Sequence, residues 1–227
     1  QMAPLLGSTP HYAIWSKSDY SYEETGKYYS YRELTKAAFT AFWPQPVKLP
    51  KLDGIATRFR YADADFFMLD IRSNRDIRPN SSNHPKILDR PQIEWLVQEL
   101  KRSEATFKII VSGSPALNPA NNPSNLAYAD MEQTALLEML RRENISGLFF
   151  ISGGKYFGEM TKLVHASNYN LFELTVGPLT AKPKNKPDEL NYFRVPGTLT
   201  TERQFALISI SGTEEDRRLS ISMKNMT

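Results

Sequence analysis

Residues 147–157 read GLFFISGGKYF. The apolar run at 148–151 is typical of a strand that is buried on both faces of a sheet. The pair Gly153-Gly154 predicts a tight loop directly after that strand. The stretch therefore predicts an interior strand that delivers a loop to one edge of a sheet.

The chain around this stretch alternates between strand patterns and helix patterns. Residues 91–103 and 129–143 repeat apolar side chains at helical spacing, and residues 107–111 form an apolar strand between them. Two further strands are predicted at 55–61 and 65–71. This alternation predicts an α/β layered domain, in which helices cover a sheet.

The N-terminal part is predicted to add one strand and one helix. The strand covers residues 12–15, and the helix covers residues 29–43 and stops at Pro44. The side chains expected to share one face of this helix are Leu34, Ala37, Ala38 and Phe42.

The C-terminal part changes character. A strand is predicted at 171–176, and residues 203–211 and 218–224 alternate apolar and polar side chains around a Gly-containing turn. We therefore expect a mixed sheet with a C-terminal antiparallel hairpin, in a single domain that spans residues 1–227.

Composition excludes several classes of protein. With 41% hydrophobic residues the chain is expected to fold around a core, and no apolar run reaches the ~20 residues of a membrane-spanning helix. The net charge is +3, from 28 basic and 25 acidic residues, and the basic residues are dispersed. Nucleic-acid binding is therefore not expected. The chain has no cysteine, which excludes disulfides and thiolate metal ligands.

Two loop segments carry a resemblance to a known family. Residues 15–20 read WSKSDY, and residues 152–157 read SGGKYF. With LDIR at 69–72, LFELT at 171–175 and RVPGT at 194–198, their order and spacing make the chain resemble the PhoD-like alkaline phosphatases, a branch of the calcineurin-type metallophosphoesterases. The resemblance implies a metallophosphatase-like fold and, in active members, a dinuclear metal centre.

The chain departs from the family where metal ligands are expected. In the family the first segment usually reads WDDHDYG and the second SGDRHF, and Asp19 matches the last aspartate of the first segment. The substituted positions are Ser16, Lys17, Ser18, Gly154 and Tyr156. Two-metal phosphoesterases clamp the reacting oxygens between cations about 3.5–4 Å apart, which need carboxylate, amide or imidazole ligands.

The substituted residues are poor metal ligands. Serine is a weak neutral ligand, glycine has no side chain, and the ammonium of Lys17 would repel a cation. His11, His84 and His165 are not spaced as ligand pairs. We therefore predict no metal, no cofactor and no catalytic residue in this chain.

Basic residues near the two segments suggest a different use. If both loops converge as in the family, Lys17 and Lys155 come close together and could form a weak anion site with Arg72 or Arg75. The alternative is that the lysines are solvated and that the arginines belong to an ion-pair cluster with Asp70 and Asp76, which fixes the loop at 73–90.

The resemblance leaves two functions open. One is a catalytically inactive homologue that acts as a binding or structural subunit of an exported assembly. The other is an active metal-dependent phosphomonoesterase or phosphodiesterase whose metal site is completed by another chain or by an N-terminal segment. The resemblance covers roughly the C-terminal two thirds of the family domain, so the fold is expected to be incomplete relative to the family.

A protein partner or an oligomer is expected, through an exposed sheet edge or through the tyrosine-rich segment at 20–31. Tyrosine-rich segments are common at protein interfaces, and an open strand edge invites pairing with another chain. The family resemblance implies a periplasmic or extracellular location.

Overall fold

A computed structural model describes residues 3–21, 25–46, 49, 51–78, 84–164, 170–187 and 189–225. The helices are α1 (Ala3–Ser8), α2 (Lys17–Tyr20), α3 (Arg32–Phe42), α4 (Arg90–Arg102) and α5 (Asp130–Arg142), with a 3₁₀ turn at Leu126–Ala129. The strands are β1 (Thr57–Tyr61), β2 (Ala64–Met68), β3 (Phe107–Ser112), β4 (Leu148–Ser152), β5 (Glu159–Val164), β6 (Asn170–Thr175), β7 (Gln204–Ser211) and β8 (Arg218–Asn225).

The main sheet has six strands in the order β1-β2-β3-β4-β6-β5. The four inner strands are parallel, and the outer strands β1 and β5 pair antiparallel with their neighbours. Strands β7 and β8 form a separate antiparallel hairpin. The α/β prediction, with a mixed sheet and a C-terminal hairpin, is confirmed.

The helices α4 and α5 connect the parallel strands and cover one face of the sheet. Leu96 and Leu100 of α4 and Leu136 and Leu140 of α5 are buried in one cluster with the sheet residues, which include Phe150. Helix α4 begins where expected: Asp89 accepts a hydrogen bond from the backbone N–H of Gln92, and a proline occupies the first turn.

The end of β2 is fixed by a buried carboxylate. Asp70 Oδ1 accepts hydrogen bonds from Trp15 Nε1 at 2.8 Å and from the backbone N–H groups of Arg72 and Ser73. Its Oδ2 accepts from the backbone N–H of Ile55 at 2.8 Å and from the hydroxyl of Ser73 at 2.7 Å. One side chain therefore ties together the segments at 15, 55 and 70–73.

Helix α4 is tied to the same point. The amide of Gln92 accepts from the Asp70 backbone N–H at 2.8 Å and donates to the Asp70 carbonyl at 2.7 Å. The oxygen and the nitrogen of this buried side-chain amide therefore both bond to the Asp70 backbone, and they fix the distance between the start of α4 and the end of β2.

The predicted strand at 12–15 is wrong. These residues lie outside the sheet. The Trp15 ring is buried, and its Nε1 donates a hydrogen bond to Asp70, but the residue makes no strand pairing. A short apolar run that ends in a buried residue does not tell whether the segment is a strand or an irregular buried segment. The helix α2 at 17–20 and the edge strand β5 are additional elements that the sequence pattern did not predict.

The helix predicted at 29–43 is present as α3, at Arg32–Phe42. The residues of its shared apolar face, Leu34, Ala37, Ala38 and Phe42, point to solvent. Its other side faces the protein: the ring of Phe39 packs 5.2 Å from that of Trp15, and Arg32 and Lys36 form ion pairs with Asp53. The helical repeat identified a shared face but not which face is covered.

The two edges of the main sheet differ in how they are protected from pairing with another strand. Beside β5, the chain at 193–200 forms backbone hydrogen bonds to Gly158, Met160 and Lys162, so this edge is covered. On β1, Arg58 and Arg60 carry charge at the other edge, a common protection against strand pairing. None of the helices in the described ranges is long and apolar enough to cross a membrane.

We predict that Asp70→Asn lowers the free energy of unfolding by about 3 kcal/mol or more, because the new amide group would face N–H and O–H donors inside the protein. Urea denaturation followed by circular dichroism measures the change. Asp53→Asn is the matched control, because it breaks ion pairs of a more exposed carboxylate and should cost less than about 1 kcal/mol. Equal losses in both variants would contradict the central role of Asp70.

Candidate functional site

Three loops meet at the carboxyl ends of β2, β3 and β4, which lie side by side because the strands are parallel. A Cβ atom placed on Gly113 would lie 2.5 Å from the carbonyl oxygen of Trp15. A Cβ atom on Gly154 would lie 2.3 Å from the carbonyl oxygen of Gly113. The segments 15–20 and 152–157 therefore both touch the loop after β3, and we call this region the strand-end site.

The first segment of the strand-end site forms a short helix. Ser16 precedes α2, and its backbone N–H donates to the carboxylate of Asp19 at 2.9 Å. The side chains of Lys17, Ser18 and Asp19 are exposed. The carboxylate that matches the family thus caps the first turn of α2, which is a structural use of this group.

Tyr20 is the last residue of the same segment. Its ring is buried against Trp15, and its hydroxyl donates to the Gly26 carbonyl at 3.1 Å. Burial raises the pKa of Tyr20 to about 12. The hydroxyl therefore stays protonated at neutral pH and acts as a donor.

The second segment has a backbone that suits glycine. Gly154 has φ +72°, a conformation that side-chain-bearing residues rarely adopt, and it lies against the Gly113 carbonyl. An aspartate at this position would be strained and would collide with that carbonyl. Tyr156, two residues later, is 44% exposed.

Lys155 lies between these two residues and turns inward. Its ammonium is 2.9 Å from Glu189 Oε2 and donates to Ser124 Oγ at 2.7 Å, and both partners of the ion pair are about 95% buried, with 5% and 4% of their side chains exposed. A positive charge therefore lies inside the strand-end site, and its counter-charge comes from the segment after β6.

The ion pair continues into a chain of polar side chains. The amide of Asn118 donates to Glu189 at 2.9 Å and to Glu159 at 3.0 Å. Glu159 also accepts from Asn191 at 2.8 Å and pairs with Arg194 at 2.5 Å. Sequence reasoning missed Asn118, Glu159 and Glu189, because they come from three separate segments and no local spacing relates them.

The arginines after β2 are buried. Arg72 and Arg75 are 2% and 1% exposed, and Arg75 donates to the carbonyl of Pro123. Asp76 pairs with Lys27 at 2.8 Å and with Arg78 at 3.1 Å, and hydrogen bonds from Arg78, supported by Lys27, lower the pKa of Asp76 to about 2. Part of the loop at 73–90 is thus held by ion pairs, but the partners of Asp76 described here are Lys27 and Arg78. The predicted cluster of Arg72 and Arg75 with Asp70 and Asp76 stays a prediction.

The anion site stays a prediction. Lys17 is exposed on α2, whereas the charge of Lys155 faces Glu189. An anion at Lys155 would therefore compete with a buried carboxylate.

The residues of the strand-end site do not fit a dinuclear metal centre. Among the residues that the structure describes, no group of three or more His, Asp or Glu side chains could hold a metal ion. His11 and His84 lie on the surface or near it, and His165 is outside the described residues. The buried ammonium of Lys155 would also repel a divalent cation.

A buried acid supports the loop after β3. Glu173 on β6 is fully buried, and its two carboxylate oxygens accept from the backbone N–H groups of Ala116 and Leu117 at 2.7 and 2.8 Å. Burial raises the pKa of Glu173 to about 7, although these hydrogen bonds oppose the shift.

A cavity of about 450 Å³ opens beside the loops after β2 and β3. Its wall is mostly apolar and includes Tyr28, Ile77 and Tyr128, with Arg75 and Arg78 at its polar side. The cavity has the size and polarity of a site for a small organic molecule.

Comparison with known proteins agrees with this fold. The sequence model of the PhoD-like phosphatases matches residues 14–209. A solved structure of PhoD superposes with a TM-score of 0.65 and 15% identity, over 93% of this chain and 52% of that one. Purple acid phosphatase PPD1 from yellow lupin (Lupinus luteus) seeds gives a TM-score of 0.57 and 11% identity, over 91% and 37%.

At such identities the structural likeness shows the fold alone, which is the metallophosphatase fold. The chain spans about half the length of the PhoD structure that it matches. No curated protein sequence matches the chain significantly.

We predict that Gly154→Ala destabilises the fold by about 2 kcal/mol or more, because alanine is strained at this φ and its Cβ meets the Gly113 carbonyl. Gly153→Ala is the matched control, since a Cβ there would have no atom within 4 Å. Thermal unfolding of both variants measures the difference. A melting temperature for Gly154→Ala equal to that of Gly153→Ala would contradict the described loop geometry.

We also predict that stability falls between pH 4.5 and about 7 because of Glu173. In this window the unfolded chain has ionised Glu173 while the folded protein keeps its proton, so rising pH favours unfolding. Below the window both states are protonated, and above it both are ionised.

The measurement is urea denaturation at half-unit pH steps from 4 to 8, on the wild type and on Glu173→Gln. The variant should be less stable at low pH but should lose the fall in stability across this window. An unchanged pH profile in Glu173→Gln would show that another group causes the dependence.

Proposed function

Because the chain belongs to the PhoD-like phosphatase family, we propose that it is a catalytically inactive homologue that serves as a binding or structural subunit of an exported assembly. The proposal concerns a protein that retains the family scaffold without the metal chemistry. Export is part of the proposal because the family resemblance implies it.

The buried ion pair between Lys155 and Glu189 carries the proposal. It lies in the loop where the family carries ligands, directly after Gly154. An ammonium that is desolvated and hydrogen-bonded in this way supplies a fixed positive charge without any metal. Its loss of water would be costly without a partner, and Glu189 and Ser124 provide that partner.

The neighbouring first segment supports the same conclusion. Its one carboxylate, Asp19, accepts a backbone N–H from Ser16, and the exposed Lys17 and Ser18 supply no anionic ligand. The residues here stabilise loops and helix ends rather than face a common point. The strand-end site is therefore suited to holding the fold.

The exposed aromatic side chains favour a binding role over a purely vestigial one. Tyr28 and Tyr31 are exposed, whereas Tyr20 is buried and Tyr29 packs against it. Tyr22 lies outside the described residues. Part of the tyrosine-rich segment thus builds the core, and the remainder is available to a protein partner.

The alternative function is an active metal-dependent phosphomonoesterase or phosphodiesterase. The family supports it, and the chain spans only 52% of the PhoD structure. In that case further metal ligands would come from another chain or from an N-terminal segment. Asp19 would be the first candidate to contribute from this chain.

Metal content distinguishes the two functions. We predict less than about 0.1 equivalent of Fe, Ca, Zn, Mn or Mg per chain when natively purified protein is analysed by elemental mass spectrometry without added metal, because the site lacks a ligand set. The same preparation should show no hydrolysis of phosphomonoester or phosphodiester test substrates above that of a mock purification.

One or two equivalents of a single metal would overturn the inactive assignment. Asp19→Asn, with the exposed Asp216→Asn as its control, would then test whether the metal depends on the strand-end site. Metal lost only in Asp19→Asn, together with phosphatase activity in the wild type, would establish the alternative.

A further inference from the structure

Helix α3 presents a mostly apolar surface to solvent. We use the name α3 face for the exposed uncharged residues on and just before this helix, which are Tyr31, Leu34, Ala37, Ala38, Ala41 and Phe42. The exposed Glu33 lies at the border of this face. Phe42 is 82% exposed and Leu34 is 68% exposed, among the highest values for large apolar side chains here. A contiguous exposed apolar surface of this kind is typical of an interaction site.

The α3 face cannot simply turn inward. On the opposite side of the helix Arg32 and Lys36 form ion pairs with Asp53, and Phe39 packs against the buried Trp15. The helix thus directs its positive charges to the protein body and its apolar residues to solvent. This is the reverse of an ordinary surface helix.

We propose that the α3 face pairs with the α3 face of a second copy of this chain, with the two helices antiparallel and a two-fold axis passing near Ala38. A two-fold interface needs a surface that is complementary to itself. The α3 face meets this requirement, because small residues lie at its centre and large ones at its ends.

The size pattern determines the direction of pairing. Leu34 precedes Ala38 by one turn, and Phe42 follows it by one turn. Antiparallel packing brings the small side chain of Ala38 against its copy, and it brings Leu34 of each protomer against the partner's Phe42. Parallel packing would place the two Phe42 rings against each other at one end and leave Leu34 against Leu34 at the other.

A groove is present where the partner's side chain is expected. A cavity of about 400 Å³ lies between α2 and α3, lined by Leu34, Phe39 and Phe42 among others, with Asp19 at its rim. Antiparallel pairing places the partner's Phe42 next to Leu34, at the mouth of this groove. The aromatic side chain has room there, and its burial would remove both apolar surfaces from water.

Charge favours a second copy over an anionic membrane. The α3 face is uncharged, and the exposed Glu33 at its border pairs with Arg32 at 3.0 Å. Antiparallel pairing about Ala38 keeps the two copies of Glu33 about 15 Å apart along the helix axis, so it brings no like charges together. Antiparallel helices also place the positive end of each helix dipole beside the negative end of the other. A membrane-binding helix would instead direct its cations toward the lipid, whereas Arg32 and Lys36 are bound to Asp53.

The inference goes beyond the proposed function and does not depend on whether the protein is catalytically active. Sedimentation equilibrium of the 227-residue chain tests it first. We expect a monomer–dimer equilibrium, and Phe42→Glu should raise the dissociation constant at least tenfold, which corresponds to about 1.4 kcal/mol. Tyr192→Glu is the matched control, because Tyr192 is 81% exposed and lies after β6.

The absence of cysteine allows a test of geometry by cross-linking. A single Ala38→Cys should form a disulfide-linked dimer under mild oxidation, because the two-fold axis brings the two residues together. Leu34→Cys should not cross-link to itself, because its copy lies about 12 Å away along the helix axis, beyond disulfide reach. Circular dichroism of each variant verifies that it is folded.

Three outcomes would overturn the inference. The first is a wild-type monomer at every concentration, including one that binds vesicles of anionic lipid. The second is a dimer that Phe42→Glu and Tyr192→Glu affect equally. The third is cross-linking of Leu34→Cys rather than Ala38→Cys, which would indicate parallel helices.

Discussion

The buried carboxylate of Asp70 joins parts of the chain that are far apart in sequence. It accepts the indole N–H of Trp15 and the backbone N–H of Ile55, and its own backbone is held by Gln92 at the start of α4. Trp15 in turn supports Phe39 of α3. The carboxylate therefore stabilises the loop after β2 and also determines how α3 lies on the protein.

We propose that the strand-end site keeps the family scaffold while its chemistry has changed. A metal pair holds loops together by attracting carboxylates from several strands. In this chain the ammonium of Lys155 attracts Glu189, and Asn118 links this pair to Glu159. Under the proposal, this charge takes the place of the metal pair. The ion pair is completed by hydrogen bonds from the amides of Asn118 and Asn125 to Glu189 and from Lys155 to the hydroxyl of Ser124.

The sequence predicted the layered fold because the apolar runs at 107–111 and 148–151 alternate with helical repeats at 91–103 and 129–143, and this order is typical of an α/β layered domain. It failed at β5, where Glu159 and Lys162 interrupt the apolar pattern, and at 12–15, where an apolar run lies outside the sheet. At α3 it identified the apolar face but not whether that face is covered. Of the site, the sequence pattern identified the two segments that contain Asp19 and Gly154. The partner of Lys155 could not be predicted, because Glu189 lies 34 residues away in a Lys/Pro-rich loop.

The exposure of the α3 face follows from the same constraints. Ile55 is held by Asp70, so the position of Asp53, two residues before it, is also restricted. Asp53 attracts Arg32 and Lys36, and Trp15 attracts Phe39, so three contacts direct one side of the helix inward. The apolar side must then face outward, although its exposure to water is unfavourable. A surface maintained at this cost by the central interaction of the fold is better explained by an interface than by chance.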